Sequence, residues 1–336
     1  MLLAVLVGLD VGRSWDYRTI ATIFLASLGI GLALASAEYW LPDVYYAAIH
    51  TRDYIHFRLQ EPDEPEISRS VDEIIRARVI TWFNITGGAG GALSVRIAGP
   101  NMEPVSYAYV IACGGIVSAT LGRSALATAA LLLLVFAGVK GPLLMLTLTL
   151  AISVLWCATR NGRIVLLVSL VLLVAYVAQG IAIGLSNGDL HVVGLMGGVN
   201  GFLKNPWGHG IGVGGNLSAD AADGVDWSTW QKTGADFALE SAVGVLIYQM
   251  GVAAAAVYVP IVELLRRGFR RREAAMWKAR GQRRGPQPSD LLLLGIGVTL
   301  ANGFFQEEAY SPYALGLLTL FGGVIVANAT AQRRAA

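Results

Sequence analysis

Long runs of apolar residues, separated by short polar turns, dominate this chain. Eight runs reach or approach the roughly 20 residues that a straight helix needs to cross a bilayer. They cover residues 18–40, 105–121, 125–138, 142–158, 164–185, 241–262, 289–305 and 311–328. A shorter run, Met1 to Leu9, is interpreted as the stub of a further helix. The pattern predicts an all-α fold, a polytopic membrane helical bundle with about 8 to 9 transmembrane helices.

The composition agrees with a membrane protein. Of the 336 residues, 55% are hydrophobic and only 14% are charged, and the mean hydropathy is +0.57. Such a chain cannot hide its apolar surface in one water-soluble core. We therefore expect residues 1–336 to form a single integral membrane domain. Cys113 and Cys157 lie in different apolar runs without metal-ligand spacing, so neither a disulfide nor a metal site is expected.

Basic residues predict the orientation of the bundle, because Lys and Arg in short loops stay on the cytoplasmic side. Residues 263–290 should form a cytoplasmic loop, since they contain Arg266, Arg267, Arg270, Arg271, Arg272, Lys278, Arg280, Arg283 and Arg284. Counting spans from this loop places residues 41–104 and 186–240 in two long extracytoplasmic loops. The second loop is acidic, which agrees with its predicted side.

The first extracytoplasmic loop is expected to contain an amphipathic helix. Ser70 and Glu73 have the spacing of a capping box, and apolar side chains follow at helical spacing as far as Trp82. This helix either lies on the membrane surface or packs as a lid on the other outer loop. The sequence does not separate these two arrangements.

The second extracytoplasmic loop contains the glycine-dense stretch NPWGHGIGVGGN, from Asn205 to Asn216. Its glycines allow positive φ angles and a close approach of a ligand to backbone N–H groups. Gly210, Gly212 and Gly215 match the G-x-G-x-x-G spacing of dinucleotide sites, but that motif needs a preceding strand and a following helix. Because the flanks here are membrane segments, we reject a nucleotide and expect a backbone-lined pocket for an anion.

Three basic residues are candidates for binding phosphate at the membrane surface. Arg96 precedes the span that begins near residue 105, Lys140 lies in the turn GVKGPLL, and Lys204 precedes the glycine-rich stretch. A guanidinium makes permanently charged, bidentate contacts to phosphate, and a lysine adds a mobile charge. The alternative for Arg96 and Lys140 is that their side chains only extend to lipid headgroups.

Acids and histidines near the outer loops are candidates for proton transfer. Glu240 opens the span ESAVGVLIYQMGV and could serve as a general base if burial raises its pKa. The alternative is an acid that only favours the start of a helix. His209 is a candidate base or hydrogen-bond donor, whereas the sequence suggests no partner for His191. Glu307 and Glu308 either bind sugar hydroxyls or only cap the turn as solvated charges, and we favour the second.

Several pieces of sequence occur in the order found in the O-antigen polymerase and ligase superfamily, whose members build bacterial surface polysaccharides. VRIAGPNMEP resembles the arginine-containing outer loop of that family, and GVKGPLL resembles its short basic-Gly turn. FLKNPWGHGIGVGGN resembles its Asn/Ser-Pro-x-x-Gly-x-Gly-x-Gly loop. The match runs from Arg96 to Gly251 and extends more loosely to the last two spans.

The chain departs from this family after the glycine-rich loop. The family commonly has His-Asn there, and aligning a later glycine with Gly251 puts Glu240 and Ser241 at those two positions. Because the ligases look dependent on that histidine, its absence favours a polymerase. Gln249 takes the place of a later acid, and an arginine often found ahead of the loop has no counterpart closer than Lys204.

The resemblance implies metal-independent glycosyl transfer, without a cofactor, at the outer face of the bacterial inner (cytoplasmic) membrane. The donor would be an oligosaccharide on a polyprenyl pyrophosphate, and the product an exopolysaccharide or O-antigen polymer. The expected catalytic residues are Glu240, Arg96 and His209. The expected substrate-binding residues are Lys140, Lys204, Asn205, Trp207, Gly208, Gly210, Gly212, Asn216 and Ser241. Trp207, Trp227 and Trp230 either face sugar rings or anchor the chain at the membrane interface.

Two other functions remain open at this stage. An O-antigen ligase would differ from the polymerase in its acceptor, and a transporter or flippase would move the same lipid-linked glycans. A transporter typically has charges inside its spans and inverted repeats, whereas the polar residues of this chain gather in the outer loops. Membrane lipids and other polysaccharide assembly proteins are expected as partners, and nucleic acid is not.

Overall fold

The computed structural model describes residues 2–51, 53–54, 79–81, 93–95, 97–159, 161–216, 237–278 and 287–335. Arg96, Trp227, Trp230 and most of the predicted amphipathic helix lie outside these ranges. The described part of that helix, Val79–Thr81, is instead a strand (β1) that pairs antiparallel with Leu93–Val95 (β2). Its β-branched residues suit this extended pairing.

Helices make up most of the remaining described chain. In chain order they are α1 (Leu2–Ser14), α2 (Tyr17–Trp40), α3 (Pro42–Ala48), α4 (Pro104–Thr120), α5 (Ser124–Ala137), α6 (Lys140–Thr159), α7 (Gly162–Asn187), α8 (Leu190–Lys204), α9 (Ala242–Met250), α10 (Ala255–Lys278), α11 (Pro288–Asn302) and α12 (Leu317–Ala335). Short 3₁₀ helices occupy Gly99–Asn101, Gly251–Ala254 and Glu307–Tyr310, and a π-helix occupies Pro312–Gly316.

Each of the eight predicted apolar segments is helical, so the all-α class is confirmed for the described residues apart from the β1–β2 pair. Within the described residues, five helical stretches are long and apolar enough to cross a membrane, namely Tyr17–Trp40, Lys140–Thr159, Ile164–Asn187, Ala242–Arg266 and Glu307–Thr330. Shorter apolar helices account for the other segments, at Pro104–Thr120, Ser124–Val135 and Pro288–Asn302.

Helix α4 lies at the centre of the bundle. It packs against α2, α5, α6 and α11, and nearly all of its residues are buried because it is apolar or small on every face. Gly114 and Gly115 permit close packing, since a Cβ atom there would lie 2.2 Å from a side-chain carbon of Leu28 and 2.7 Å from one of Leu146. In contrast, α7 is peripheral and exposes Leu167, which is typical of a lipid-facing helix.

The bundle has one end where acidic residues gather and another where arginines gather. The acidic end contains Glu103, Glu240, Glu307 and Glu308. The basic end contains Arg18, Arg123 and Arg266. This separation follows directly from where the charged residues stand between the apolar runs.

Two parts of the fold differ from the sequence-based expectation. Residues 190–204, predicted to be loop, form α8. The predicted span 241–262 is broken at Gly251, where φ is 54° and α9 gives way to a 3₁₀ turn. Helix α10 then continues to Lys278, well into the predicted cytoplasmic loop 263–290.

Candidate functional site

The candidate site lies at the acidic end, where α8 and α9 begin side by side. Nδ1 of His191 is 3.3 Å from Oε2 of Glu240. Asp189 caps α8 by accepting a hydrogen bond from the N–H of His191, at 3.0 Å. Ser241 caps α9 by accepting one from the N–H of Gly244, at 3.1 Å. Both members of the pair are therefore fixed by helix N-termini rather than by mobile loops.

Glu240 has an unusual backbone conformation. Its φ is 58°, in the left-handed region that non-glycine residues seldom adopt, at a cost on the order of 1–3 kcal/mol. The surrounding contacts hold it there: its N–H donates to Oδ1 of Asn216 at 3.2 Å, and its carbonyl oxygen is 3.4 Å from Nδ1 of His191. In this conformation the carboxylate lies next to the imidazole of His191. Residues with such strained backbone conformations are often found at functional sites.

Asn216 links Glu240 to a second acid. The N–H of Asn216 donates to Oε2 of Glu307 at 2.9 Å. The preceding residue, Gly215, has a φ of 88°, a backbone conformation that favours glycine. We call His191, Asn216, Glu240 and Glu307 the polar cluster. Glu307 begins the 3₁₀ turn Glu307–Tyr310, as the turn-capping alternative expects, but it is half-buried and not fully solvated.

The charges of the pair stabilise each other. A hydrogen bond from His191 holds the pKa of Glu240 below its usual value, outweighing burial, and the hydrogen bond from Asn216 adds to this effect. Burial alone would lower the pKa of His191, but the hydrogen bond and charge of Glu240, with the charge of Asp189, raise it above its usual 6.5. The sequence-based expectation was that Glu240 could act as a general base if burial raised its pKa. The pKa of Glu240 is instead lowered, so that condition is not met. The stronger base of the two is His191.

Hydrogen bonds between α4, α6, α7 and α11 hold the helices next to the polar cluster in place. The Tyr176 hydroxyl donates to Oδ1 of Asn302 at 3.2 Å, and Nδ2 of Asn302 donates to the carbonyl oxygen of Gly141 at 2.7 Å. The Tyr109 hydroxyl donates to Oε1 of Gln306 at 2.7 Å, next to Glu307 in sequence. These contacts bring the start of α6, and with it the exposed Lys140, to the acidic end.

The glycine-rich loop connects the acidic end to a point much deeper along α9. Its first part lies beside the C-terminal end of α9, where the carbonyl oxygen of Pro206 accepts from the N–H of Val252 at 2.8 Å. Its last part returns to the start of α9, where the N–H of Gly215 donates to the carbonyl oxygen of Ala238 at 2.8 Å. The loop is therefore spread along the helix and does not enclose one compact pocket.

The predicted site residues consequently fall into two groups. Asn216, Glu240 and Ser241 come together, with Lys140 at the same end of the bundle. The other group lies toward the far end of α9 and contains Lys204, Asn205, Trp207, Gly208, His209, Gly210 and Gly212. Lys204 is 13 positions beyond His191 on α8, or about 20 Å along a helix. Arg96 lies outside the described residues.

His209 has a structural position in the second group. Its ring stacks on that of Tyr248, with centroids 4.1 Å apart and planes 6° from parallel, and its Nδ1 is 3.2 Å from the Tyr248 carbonyl oxygen. It is not adjacent to Glu240. Among the described residues, no group of three His, Cys, Asp or Glu side chains is arranged to hold a metal ion.

Of the polar cluster, His191 was missed from sequence, whereas Glu307 was already a candidate for binding sugar hydroxyls. The Asp-x-His sequence at 189–191 begins a moderately apolar stretch, and this helix-start signal could have placed His191 at the start of a packed helix.

A separate apolar cavity of about 460 Å³ opens between α2, α4 and α5. Its lining includes Leu32, Tyr39, Ile97, Tyr107 and Leu133. Tyr107 is one helical turn from Glu103, the N-cap of α4, so the cavity reaches the acidic end on the opposite side of that helix. Its size and lining are those of a site for an apolar molecule.

Comparisons with known proteins identify no relative of this chain. No protein-family model matches the chain, and no curated protein or solved structure shows significant similarity to it.

Proposed function

We propose that this protein is a membrane glycosyltransferase of the O-antigen polymerase and ligase type. It transfers a glycan from a polyprenyl-pyrophosphate donor to an acceptor sugar at the outer face of the bacterial inner membrane, and its product is an exopolysaccharide or O-antigen polymer. The observation that carries this proposal is the pair of His191 and Glu240 at the acidic end. The motifs that resemble the superfamily support it.

The proposed topology has eight membrane crossings, with α1 as a partial ninth. The three shorter apolar helices cross with tilt or local thinning of the bilayer. The acidic end faces outward, because the basic residues at the other end favour the cytoplasmic side. This arrangement places the polar cluster at the level where a glycan on a lipid carrier would be presented.

In the proposed reaction, His191 is the general base. The protonated Nδ1 of His191 donates a hydrogen bond to the Glu240 carboxylate. The unprotonated Nε2 is then free to take the proton of the acceptor hydroxyl. The hydroxyl oxygen forms a bond to the anomeric carbon of the donor as the bond from that carbon to the pyrophosphate oxygen breaks. Polyprenyl pyrophosphate leaves with the bonding electrons. The His191 and Glu240 side chains are 38% and 28% exposed, so the pair is open to a substrate.

The donor would be held by two further features. Lys140 at the acidic end and Arg96, which directly precedes the cavity residue Ile97 in sequence, would stabilise charge on the leaving pyrophosphate. The apolar cavity between α2, α4 and α5 would take part of the polyprenyl chain. Glu307 and Asn216 offer an acceptor and a donor for sugar hydroxyls.

The pair also bears on the main departure from the superfamily. The resemblance places Glu240 where relatives commonly have histidine, so the chain lacks that residue in sequence. His191 supplies an imidazole at the same place from a different helix. This position of His191 supports an enzyme of related chemistry in which the base comes from a different helix. It also weakens the sequence-based reason for preferring a polymerase over a ligase, which was the missing histidine.

The test is to identify the lipid-linked glycans that accumulate when the gene is deleted. Single repeat units indicate a polymerase, long lipid-linked polymer indicates a ligase, and units held on the cytoplasmic leaflet indicate a flippase. The strain is then complemented with the wild type or with His191→Ala. The matched control is His50→Ala, because His50 forms a comparable pair with Asp53, with 3.0 Å between Nδ1 and Oδ2, but on the exposed surface. Normal polymer from the His191 variant would exclude the assigned role.

A further inference from the structure

Helix α8 follows α9 closely because its contact face consists of glycines. Cβ atoms on Gly194, Gly198 and Gly201 would lie 1.9 Å from the Leu239 carbonyl oxygen, 2.4 Å from that of Gly244 and 2.3 Å from the Tyr248 ring. Their i, i+4, i+7 spacing puts them on one helical face, as in closely packed membrane helices. Both helices therefore leave the acidic end in the same direction, alongside each other.

The glycine-rich loop then brings the chain back along the same helix. Counting from Pro206, successive contacts lie beside Val252, then Tyr248 and finally Ala238. Residues 190–216 thus form a hairpin that starts and ends at the acidic end. Because α9 belongs to the candidate span Ala242–Arg266, the hairpin runs beside a membrane span for about 15 Å.

The turn of this hairpin presents apolar side chains outward. Leu203, Trp207 and Ile211 are 70%, 82% and 85% exposed. Pro206 and Trp207 lie beside Gly251 and Val252 of the span, and Val252 is itself 50% exposed. The apolar surface of the turn is therefore continuous with the surface that the span presents to lipid. We call residues 203–212 the hairpin tip.

Part of the backbone of the hairpin tip is hydrogen-bonded within the protein. The break at Gly251 leaves the carbonyl groups of Tyr248 and Gln249 free of helical partners. The N–H group of His209 donates to the first and that of Gly210 to the second, at 3.0 Å each. Asn205 closes the turn by donating from Nδ2 to the Gly208 carbonyl oxygen at 2.7 Å. These bonds lower the cost of taking this part of the non-helical backbone out of water.

We propose that the hairpin tip is a re-entrant membrane anchor that enters the outer leaflet without crossing it. Leu203, Trp207 and Ile211 contact the acyl chains of this leaflet. The partner of this surface is the lipid bilayer itself, and the proposal does not depend on the glycosyltransferase reaction.

Spin-label accessibility in vesicles of phosphatidylethanolamine and phosphatidylglycerol tests this placement. The background variant is Cys157→Ser, since Cys157 is exposed and Cys113 is buried. Nitroxides are attached to single cysteines in Ile211→Cys, Val259→Cys and Asn187→Cys. Val259 is 64% exposed within the span and serves as the lipid control, and Asn187 ends α7 at the acidic end and serves as the water control.

The expected result is that Ile211→Cys behaves like Val259→Cys. Collisions with oxygen should be frequent, and collisions with a water-soluble nickel complex should be severalfold rarer than at Asn187→Cys. Nickel accessibility equal to that at Asn187→Cys would overturn the proposal, because the tip would then lie in water. Low accessibility to both reagents would also overturn it, because another protein surface would then cover the tip. Since Ile211 is almost fully exposed, the substitution itself leaves the fold intact.

Discussion

The Nδ1 atom of His191 lies 3.3 Å from Oε2 of Glu240, although 49 positions separate the two residues in sequence. His191 lies in the first turn of α8 and Glu240 directly precedes Ser241, the N-cap of α9, and each shifts the ionisation of the other. His191 is the proton acceptor of the pair, and its pKa depends on Glu240, which can be mutated separately.

The first prediction concerns pH. Only neutral His191 can accept a proton, so activity should rise with pH through the pKa of His191, which lies above 6.5. Glu240→Gln removes the charge that raises this pKa and leaves the burial that lowers it. The midpoint of the rising limb should therefore move to lower pH in the variant. The measurement is the pH profile of kcat/KM with a lipid-linked oligosaccharide in nanodiscs, and an unchanged midpoint would separate Glu240 from the base.

The second prediction concerns the size of the histidine effect. His191→Ala should reduce kcat by about 10²–10⁴-fold, as is typical for loss of a general base. His50→Ala should leave kcat within error of the wild type, because the pair of His50 and Asp53 is exposed and has no contact with the polar cluster among the described hydrogen bonds and ion pairs. Both variants should reach the membrane in equal amounts, which immunoblotting checks. Equal activity of the two variants would place the base elsewhere.

The third prediction tests the glycine contact between α8 and α9. In Gly194→Ala, the new methyl group would overlap the carbonyl of Leu239, which precedes Glu240, so the helices must separate. The expected destabilisation is about 1–3 kcal/mol, measured as a lower unfolding temperature in detergent, together with reduced activity. Gly29→Ala is the control, because a Cβ atom there meets nothing within 4 Å and alanine suits a helix better. Its unfolding temperature should be equal or higher.

The fourth prediction concerns Glu38, which is only 1% exposed. Its carboxylate accepts from the N–H of Ala98 at 3.1 Å and from that of Gly99 at 2.8 Å, and so fixes the segment that follows Arg96. Glu38→Gln replaces an acceptor with a donor that faces these N–H groups. Stability should fall by about 1–3 kcal/mol.

The control for Glu38 is Asp10→Asn. The Asp10 side chain is 82% exposed and 3.6 Å from Arg13, so its removal should change stability by less than about 0.5 kcal/mol. Thermal unfolding of both variants in the same detergent compares them. If Glu38→Gln unfolds at the wild-type temperature, the carboxylate does not hold the segment.

Local patterns were sufficient to predict much of this fold. The apolar segments gave the helices, and Ser241 with Glu240 marked the start of one of them. The pairing of His191 with Glu240 could not be predicted, because it depends on how two glycine-bearing helices pack. Helix α8 was missed for a related reason: glycine lowers helix propensity in water, yet Gly194, Gly198 and Gly201 here create the contact that stabilises the helix.

The glycine-rich stretch shows the opposite failure. Its composition correctly indicated positive φ angles, which occur at Gly208, Gly210, Gly212, Gly214 and Gly215. Composition does not reveal whether such a loop closes around a ligand or extends along a helix. The hydrogen bonds to Tyr248, Gln249 and Ala238 decide this, and all three partners lie in a different part of the sequence.

The left-handed conformation of Glu240 has a consequence for how the protein would respond to artificial selection. Glycine is the residue that this φ of 58° suits best, so Glu240→Gly should relieve strain while removing the carboxylate. A library sorted only for thermal resilience should therefore enrich glycine at this position, and a library sorted for polymer on the cell surface should retain glutamate. The two selections would therefore favour different residues at position 240. The residue that each one enriches would show whether Glu240 serves the stability of the fold or the reaction.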